Sequence, residues 1–148
     1  MVVLIIILCI VLLIIWAGVS NGKKHKKIQR EGQERGAYDA VVCIHMDGLG
    51  IGNENCRLLA FNQGVQIESL ASNNVFLIPN ERIIMIDAVK LAIDNKNIQC
   101  LQINYTNAQG FLSTVLFKED LNALNLQSFA AAVSLKLNSL DNGRVFTL

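Results

Sequence analysis

Residues 98–140 read IQCLQINYTNAQGFLSTVLFKEDLNALNLQSFAAAVSLKLNSL, and two different periods meet inside them. Up to Phe117 apolar residues alternate with polar ones, as strands with one buried face require, so 98–105 and 111–117 are expected to pair as a hairpin across 106–110. After Lys118-Glu119-Asp120 the period changes. Leu126, Phe129, Val133, Leu137 and Leu140 stand 3, 4, 4 and 3 apart, which places them on one face of a helix. Asp120 is the expected N-cap and Asp141-Asn142-Gly143 the stop, giving a helix over 120–140. On its opposite side Leu124, Ala131 and Leu135 also align, 7 and 4 apart. Exposed single leucines are common on protein surfaces, yet these three are the candidate partner-binding residues.

Upstream, the same short-interval alternation continues. It predicts strands over 40–46, 56–61, 65–70, 75–78 and 82–86, separated by Asn62-Gln63-Gly64, by Ser72-Asn73-Asn74 and by Pro79. Gly64 can adopt the left-handed backbone that a tight turn uses, and Pro79 has no N–H for a ladder, so the fourth strand stops there. A polar loop is expected over 94–97. Hairpin follows hairpin with no βαβ unit, which predicts an antiparallel meander closed by one carboxyl-terminal helix.

The other end of the chain is unlike this. MVVLIIILCIVLLIIWAGV, residues 1–19, holds no charge, and SNGKKHKK follows with four lysines. At about 1.5 Å per residue an apolar helix over 2–19 is roughly 27 Å long, close to the hydrocarbon thickness of a bilayer. Trp16 stands near one end, where an indole keeps its N–H at headgroup level. No Lys or Arg precedes the span, whereas Lys23, Lys24, Lys26, Lys27 and Arg30 follow it. By the positive-inside rule the carboxyl-terminal part is then expected in the cytoplasm and the amino terminus outside. A cleaved signal peptide would need a basic n-region and a small-x-small site, and only Ala17-Gly18-Val19-Ser20 is on offer. Cys9 lacks the preceding small residues of a lipoprotein site.

These features divide the chain into a transmembrane helix over 1–19, a basic juxtamembrane linker over 20–38 and a domain over 39–148. Residues 20–37 carry a net +4 and, with the whole chain at +1, the remainder from Tyr38 on carries −3. Clustered cations beside a span gain about 1 kcal/mol each from anionic headgroups. The expected lipid partner of the linker is therefore an anionic bilayer, through Lys23, Lys24, Lys26, Lys27 and Arg30 together with Trp16. A mildly acidic domain with scattered aromatics does not predict nucleic-acid binding.

No catalytic set emerges. Cys9, Cys43, Cys56 and Cys100 form no C-x-x-C pair, and a zinc site from Cys43, His45 and Cys56 has irregular spacing. Gly48-Leu49-Gly50-Ile51-Gly52, with Glu68 further on, imitates a dinucleotide-binding turn, but its third glycine comes one position early and no second βαβ unit follows. Asp47 imitates a phosphoesterase metal ligand, yet His45 is the sole histidine of the domain. A Cys43 and His45 pair, two apart on a strand, shares one face without a third group to orient it. Neither a cofactor nor a metal is expected.

Three stretches carry a family resemblance: HMDGLGIGNENCRLLAFNQGVQIES at 45–69, NNVFLIPNERIIMID at 73–87, and 101–138. Together they resemble the bacterial PH-like domains found in many Gram-positive proteins, over about 42–140. The Gly48-Leu49 step, the strand from Cys56 to Phe61 and the strand end from Phe76 to Pro79 are the matching features. The resemblance implies an α+β fold, a PH-like barrel of two bent antiparallel sheets with about seven strands, capped by the carboxyl-terminal helix. Phosphoinositide-binding members grip phosphate with cations around the first hairpin. Here that turn, Asn62-Gln63-Gly64, has none, and the nearest preceding cation is Arg57. Protein contact is the use this implies: a non-catalytic interaction module at the cytoplasmic membrane face. Lipid or small-ligand sensing at the membrane surface is the alternative.

Overall fold

The computed structural model describes residues 2–120 and 125–142, apart from the side chains of 2–4, 16–25 and 142. Its first element, α1 (Val2–Glu34), is a helix of 33 residues. It runs through most of the segment expected as a linker. Two i,i+4 pairs, Lys27 with Glu31 at 3.8 Å and Arg30 with Glu34 at 3.6 Å, fit helical spacing there, each contributing a few tenths of a kcal/mol. The helix stops where Gly36 takes a left-handed φ of 84°. Gly36 N–H then bonds Gln33 O and Ala37 N–H bonds Gly32 O, both at 2.9 Å, satisfying carbonyls that the helix end leaves open.

Among the described residues no helix is long and apolar enough to cross a membrane. Part of the expected span 1–19, Trp16 included, and Lys23 and Lys24 after it have side chains outside the described set.

Seven strands follow: β1 (Asp39–Asp47), β2 (Asn55–Phe61), β3 (Gly64–Ser69), β4 (Val75–Pro79), β5 (Ile83–Ile93), β6 (Lys96–Thr106) and β7 (Leu112–Glu119), with a short 3-10 turn, Asn80–Arg82, between β4 and β5. They form one antiparallel sheet in the order β4-β3-β2-β1-β7-β6-β5. Two sheets were expected. Hydrogen bonding instead passes unbroken from β1 to β7, with Cys43 opposite Glu119 and His45 opposite Phe117, so the barrel-like sheet is continuous and β4 and β5 are its edges. Where a polar loop was expected over 94–97, Asp94 and Asn95 both take left-handed φ, 48° and 60°. That is a two-residue hairpin turn, and it lengthens β5 and β6 to 11 residues each.

Helix α2 (Leu126–Asn142) closes the fold. Its start lies later than the expected Asp120: β7 extends to Glu119, and Asn125 O accepts the helical bond from Phe129 N–H at 3.0 Å and a side-chain bond from Ser128 Oγ at 3.1 Å. Leu126, Phe129 and Val133 are buried against the inner sheet face, beside Leu58, Leu101 and Phe117. Burying each such side chain contributes about 1.5–3 kcal/mol. Leu137 is partly buried and Leu140 is 43% exposed, so the apolar stripe leaves the core at the end of the helix.

A second, smaller cluster lies apart from this core, made by Ala37, Ala40, Leu59 and Phe61 with Ile28 of α1 packed on them. Contact is close enough that a Cβ on Gly32 would stand 3.0 Å from Ala40 Cβ and 3.3 Å from Leu59 Cδ2. Charged groups extend the docking. Arg57 donates to Glu68 through Nε at 2.9 Å and through Nη2 at 2.6 Å, and to Glu31 of α1 at 3.2 Å. Arg35 and Gln66 also donate to Glu68. The end of α1 is therefore joined to the domain by packing and by ion pairs.

Candidate functional site: a groove between an edge strand and the carboxyl-terminal helix

The first residues of β5 are four consecutive apolar ones, Ile83, Ile84, Met85 and Ile86. A strand with one buried face places only alternate residues inward, so a run of four cannot all be core. Here the run also contains a register shift. Ile83 lies opposite Tyr105 and Met85 opposite Asn104, which leaves Ile84 as the extra residue of a bulge, and bulges re-aim side chains at sheet edges. Ile86 is buried, whereas Ile84 is 60% and Met85 44% exposed.

Helix α2 approaches from the other side. Ser134 Oγ donates to Ile86 O at 3.2 Å, tying the helix to the strand at one point. Beyond that tie the two diverge around a groove of about 440 Å³, lined on the strand side by Ile83 to Ile86 and on the helix side by Leu137 and Leu140. Asn80, Glu81, Asn138 and Asp141 supply its polar lining. Asn80 is fixed by its Nδ2 donating to Asn62 O at 2.7 Å and its N–H to Gln63 O at 3.0 Å. Its Oδ1 is buried and has no donor among the described residues. The arrangement combines the apolar side chains of its two walls with an exposed surface that is mainly polar, and no Lys or Arg lines it.

The residues singled out from sequence are dispersed. Lys26, Lys27 and Arg30 are exposed on α1. Ala131 and Leu135 lie on the exposed side of α2, Leu135 at 71%, and Leu124 lies outside the described residues. The groove was missed by sequence reasoning. Its signal was the unbroken IIMI run at 83–86, too long for a half-buried strand.

The Cys43, His45 and Cys56 group is buried in the core. Cys43 faces Cys56 across the β1–β2 ladder, and both are fully buried. Burial pushes the Cys43 thiol well above its ordinary range and raises that of Cys56, which opposes formation of a thiolate nucleophile. His45 bonds Gly52 O through Nδ1 at 3.0 Å. A carbonyl only accepts, so Nδ1 carries the proton, and Nε2 is left buried with no partner among the described residues. The ring stands edge-on to Phe117, centroids 5.8 Å apart at 72°. Among the described residues no three of His, Cys, Asp and Glu are grouped to hold a metal ion.

No family model matches the chain, and no curated protein does. Among solved structures it is similar to the crystal structure of the C-terminal domain of an unknown protein from Leishmania infantum, with 13% identity and a TM-score of 0.53, over 76% of this chain and 97% of that one. At that identity the likeness shows the fold alone.

Proposed function

We propose that this chain is a single-pass membrane protein whose PH-like domain is a non-catalytic module for protein interaction, and that the groove between β5 and α2 receives the partner. The observation that carries the reading is the bulged edge strand: Ile84 and Met85 are exposed beside a cleft whose opposite wall, Leu137 and Leu140, is also apolar. Exposed apolar side chains gathered in one concave place are a feature of binding surfaces. The anchor reading is supported by the uncharged run 1–19 and by the lysines after it, whose position also supports adhesion to anionic lipid and a cytoplasmic domain.

Selection of a random-peptide library on the full chain in uncharged detergent tests the groove. The expected result is enrichment of binders that Ile84→Asp abolishes and Leu135→Asp spares. Binders sensitive to Leu135→Asp alone would move the site to the opposite side of α2, and absence of any enriched binder would overturn the reading.

A further inference from the structure

The sheet ends at β4 on one side and at β5 on the other. At the start of β5 the free side is occupied: Ile83 N–H donates to Asn80 O in closing the 3-10 turn, and Ile86 O accepts from Ser134 Oγ at 3.2 Å. β4 differs. Its ladder to β3 is bracketed by Ser69 N–H bonding Asn74 O at 2.8 Å and Asn80 N–H bonding Gln63 O at 3.0 Å, and between them Ile67 lies opposite Phe76 and Val65 opposite Ile78. Bonded pairs recur at every second residue of an antiparallel ladder, so Phe76 and Ile78 turn their N–H and C=O towards β3. Val75 and Leu77 turn theirs to the free edge, where no described group bonds them.

The side chains of the same two residues are exposed as well, Val75 at 60% and Leu77 at 52%. Across the ladders Leu77 lies opposite Gln66 and that residue opposite Leu59, while Val75 lies opposite Glu68 and that residue opposite Arg57. Both therefore stand on the sheet face where α1 packs, against Ala40 of β1 and Leu59 and Phe61 of β2, and α1 leaves the edge itself clear. No charged residue stands between Glu68 and Glu81. Edge strands are commonly guarded against pairing by lysine, proline, a bulge or shortness. β4 has only its five residues and Pro79 at its end.

We infer that β4 is a self-association strand, pairing antiparallel with β4 of a second copy of this chain about a two-fold axis beside Phe76. In that register Val75 stands opposite Leu77 of the second copy, and Leu77 opposite its Val75. Each residue offers N–H and C=O to the one it faces, so the open edge groups of both positions are satisfied together. The exposed side chains meet in the same pairs, and apolar cross-strand pairs stabilise a sheet. A segment without charge meets no like charge when it faces itself. Such pairing is isologous and closes at a dimer, whereas β4 added to β5 would be head-to-tail and open-ended, and the start of β5 is already bonded. The axis is normal to the sheet, so both copies carry α1 on one face of the joined sheet. None of the β4 residues lines the groove between β5 and α2.

Sedimentation equilibrium of the full chain in density-matched uncharged detergent tests the pairing, with circular dichroism to verify the fold of each variant. Wild type is expected as an equilibrium of monomer and dimer. Val75→Lys with Leu77→Lys sets lysine opposite lysine and should weaken the dimer at least about tenfold, whereas Val75→Lys with Leu77→Glu sets lysine opposite glutamate and should stay within about threefold of wild type. Leu77→Pro, which removes an edge N–H and leaves the bonds to β3 intact, should abolish the dimer. A monomeric wild type overturns the inference and leaves the edge to a strand of another protein. A dimer that the double-lysine variant forms as readily as wild type also overturns it, since the contact then lies elsewhere. Equal loss in the double-lysine and lysine-glutamate variants overturns the two-fold register.

Discussion

Arg57 and Glu68 face each other across the β2–β3 ladder with Nη2 and Oε2 2.6 Å apart, and the same guanidinium reaches Glu31 of α1 at 3.2 Å. One arginine therefore holds a carboxylate of the sheet and a carboxylate of the amino-terminal helix at once. Glu68 accepts from Arg35 and Gln66 too, and its side chain is 11% exposed.

The hydrogen bond from Arg35, with those from Arg57 and Gln66, holds the Glu68 carboxyl at about 2, below the ordinary 4.5, against the opposing effect of burial. A lowered folded-state value means that the unfolded chain takes up the proton first. Glu68 thus contributes stability at neutral pH that declines as pH falls below about 4.5 and is gone below about 2, on the order of 3 kcal/mol in all. Urea unfolding of the full chain between pH 7 and pH 2 should show this acid limb, and Glu68→Gln should flatten it while lowering stability at pH 7. An unchanged limb in Glu68→Gln would refute the assignment.

Gly32 leaves little room for a side chain between α1, Ala40 and Leu59. Gly32→Leu is expected to cost about 1–3 kcal/mol through overpacking or to force α1 off the sheet. The accompanying sign is faster proteolysis in the turn around Gly36. Wild-type stability and wild-type cleavage together would show that the helix does not pack there.

Cys43, Cys56 and Cys100 are fully buried, and burial raises all three thiols above their ordinary value. Since the thiolate is the species that alkylates, iodoacetamide at pH 8 should label none of the three in the folded chain and all three in denaturant. Mass spectrometry of the peptides gives the result directly. Prompt labelling of Cys43 in the folded protein would contradict its placement.

Much of the sheet was legible because its strands alternate strictly. In β6, Leu101 and Ile103 are buried and Gln102 between them is not, and that period is visible in the letters alone. The strand expected over 82–86 continues to Ile93, with the charged Asp87 and Lys90 as exposed residues within it. The turn that returns it is Asp94 and Asn95 in the left-handed region, a geometry that asparagine and aspartate tolerate and that needs no glycine.

The helical segment after residue 20 was harder to recognise. Its lysines suggested a linker, although Lys27 with Glu31 and Arg30 with Glu34 already stood at helical spacing. The docking of α1 was less visible still, since it depends on Gly32 meeting Ala40 and Leu59, residues distant in sequence and unremarkable in type. The groove lies between two elements whose separation no local pattern records.

A helix that ends in free chain lets its cargo tumble; one riveted to a sheet, as α1 is by Ile28, Gly32 and Glu31, acts as a drive shaft. Each added helical residue turns the far end by about 100° and advances it by about 1.5 Å. Under the proposed anchoring, lengthening α1 by a single residue ahead of Ile28 would leave the domain almost at the same depth and aim its cleft in another compass direction. With that anchoring, the length of the helix would set the direction in which the cleft looks around the bilayer normal.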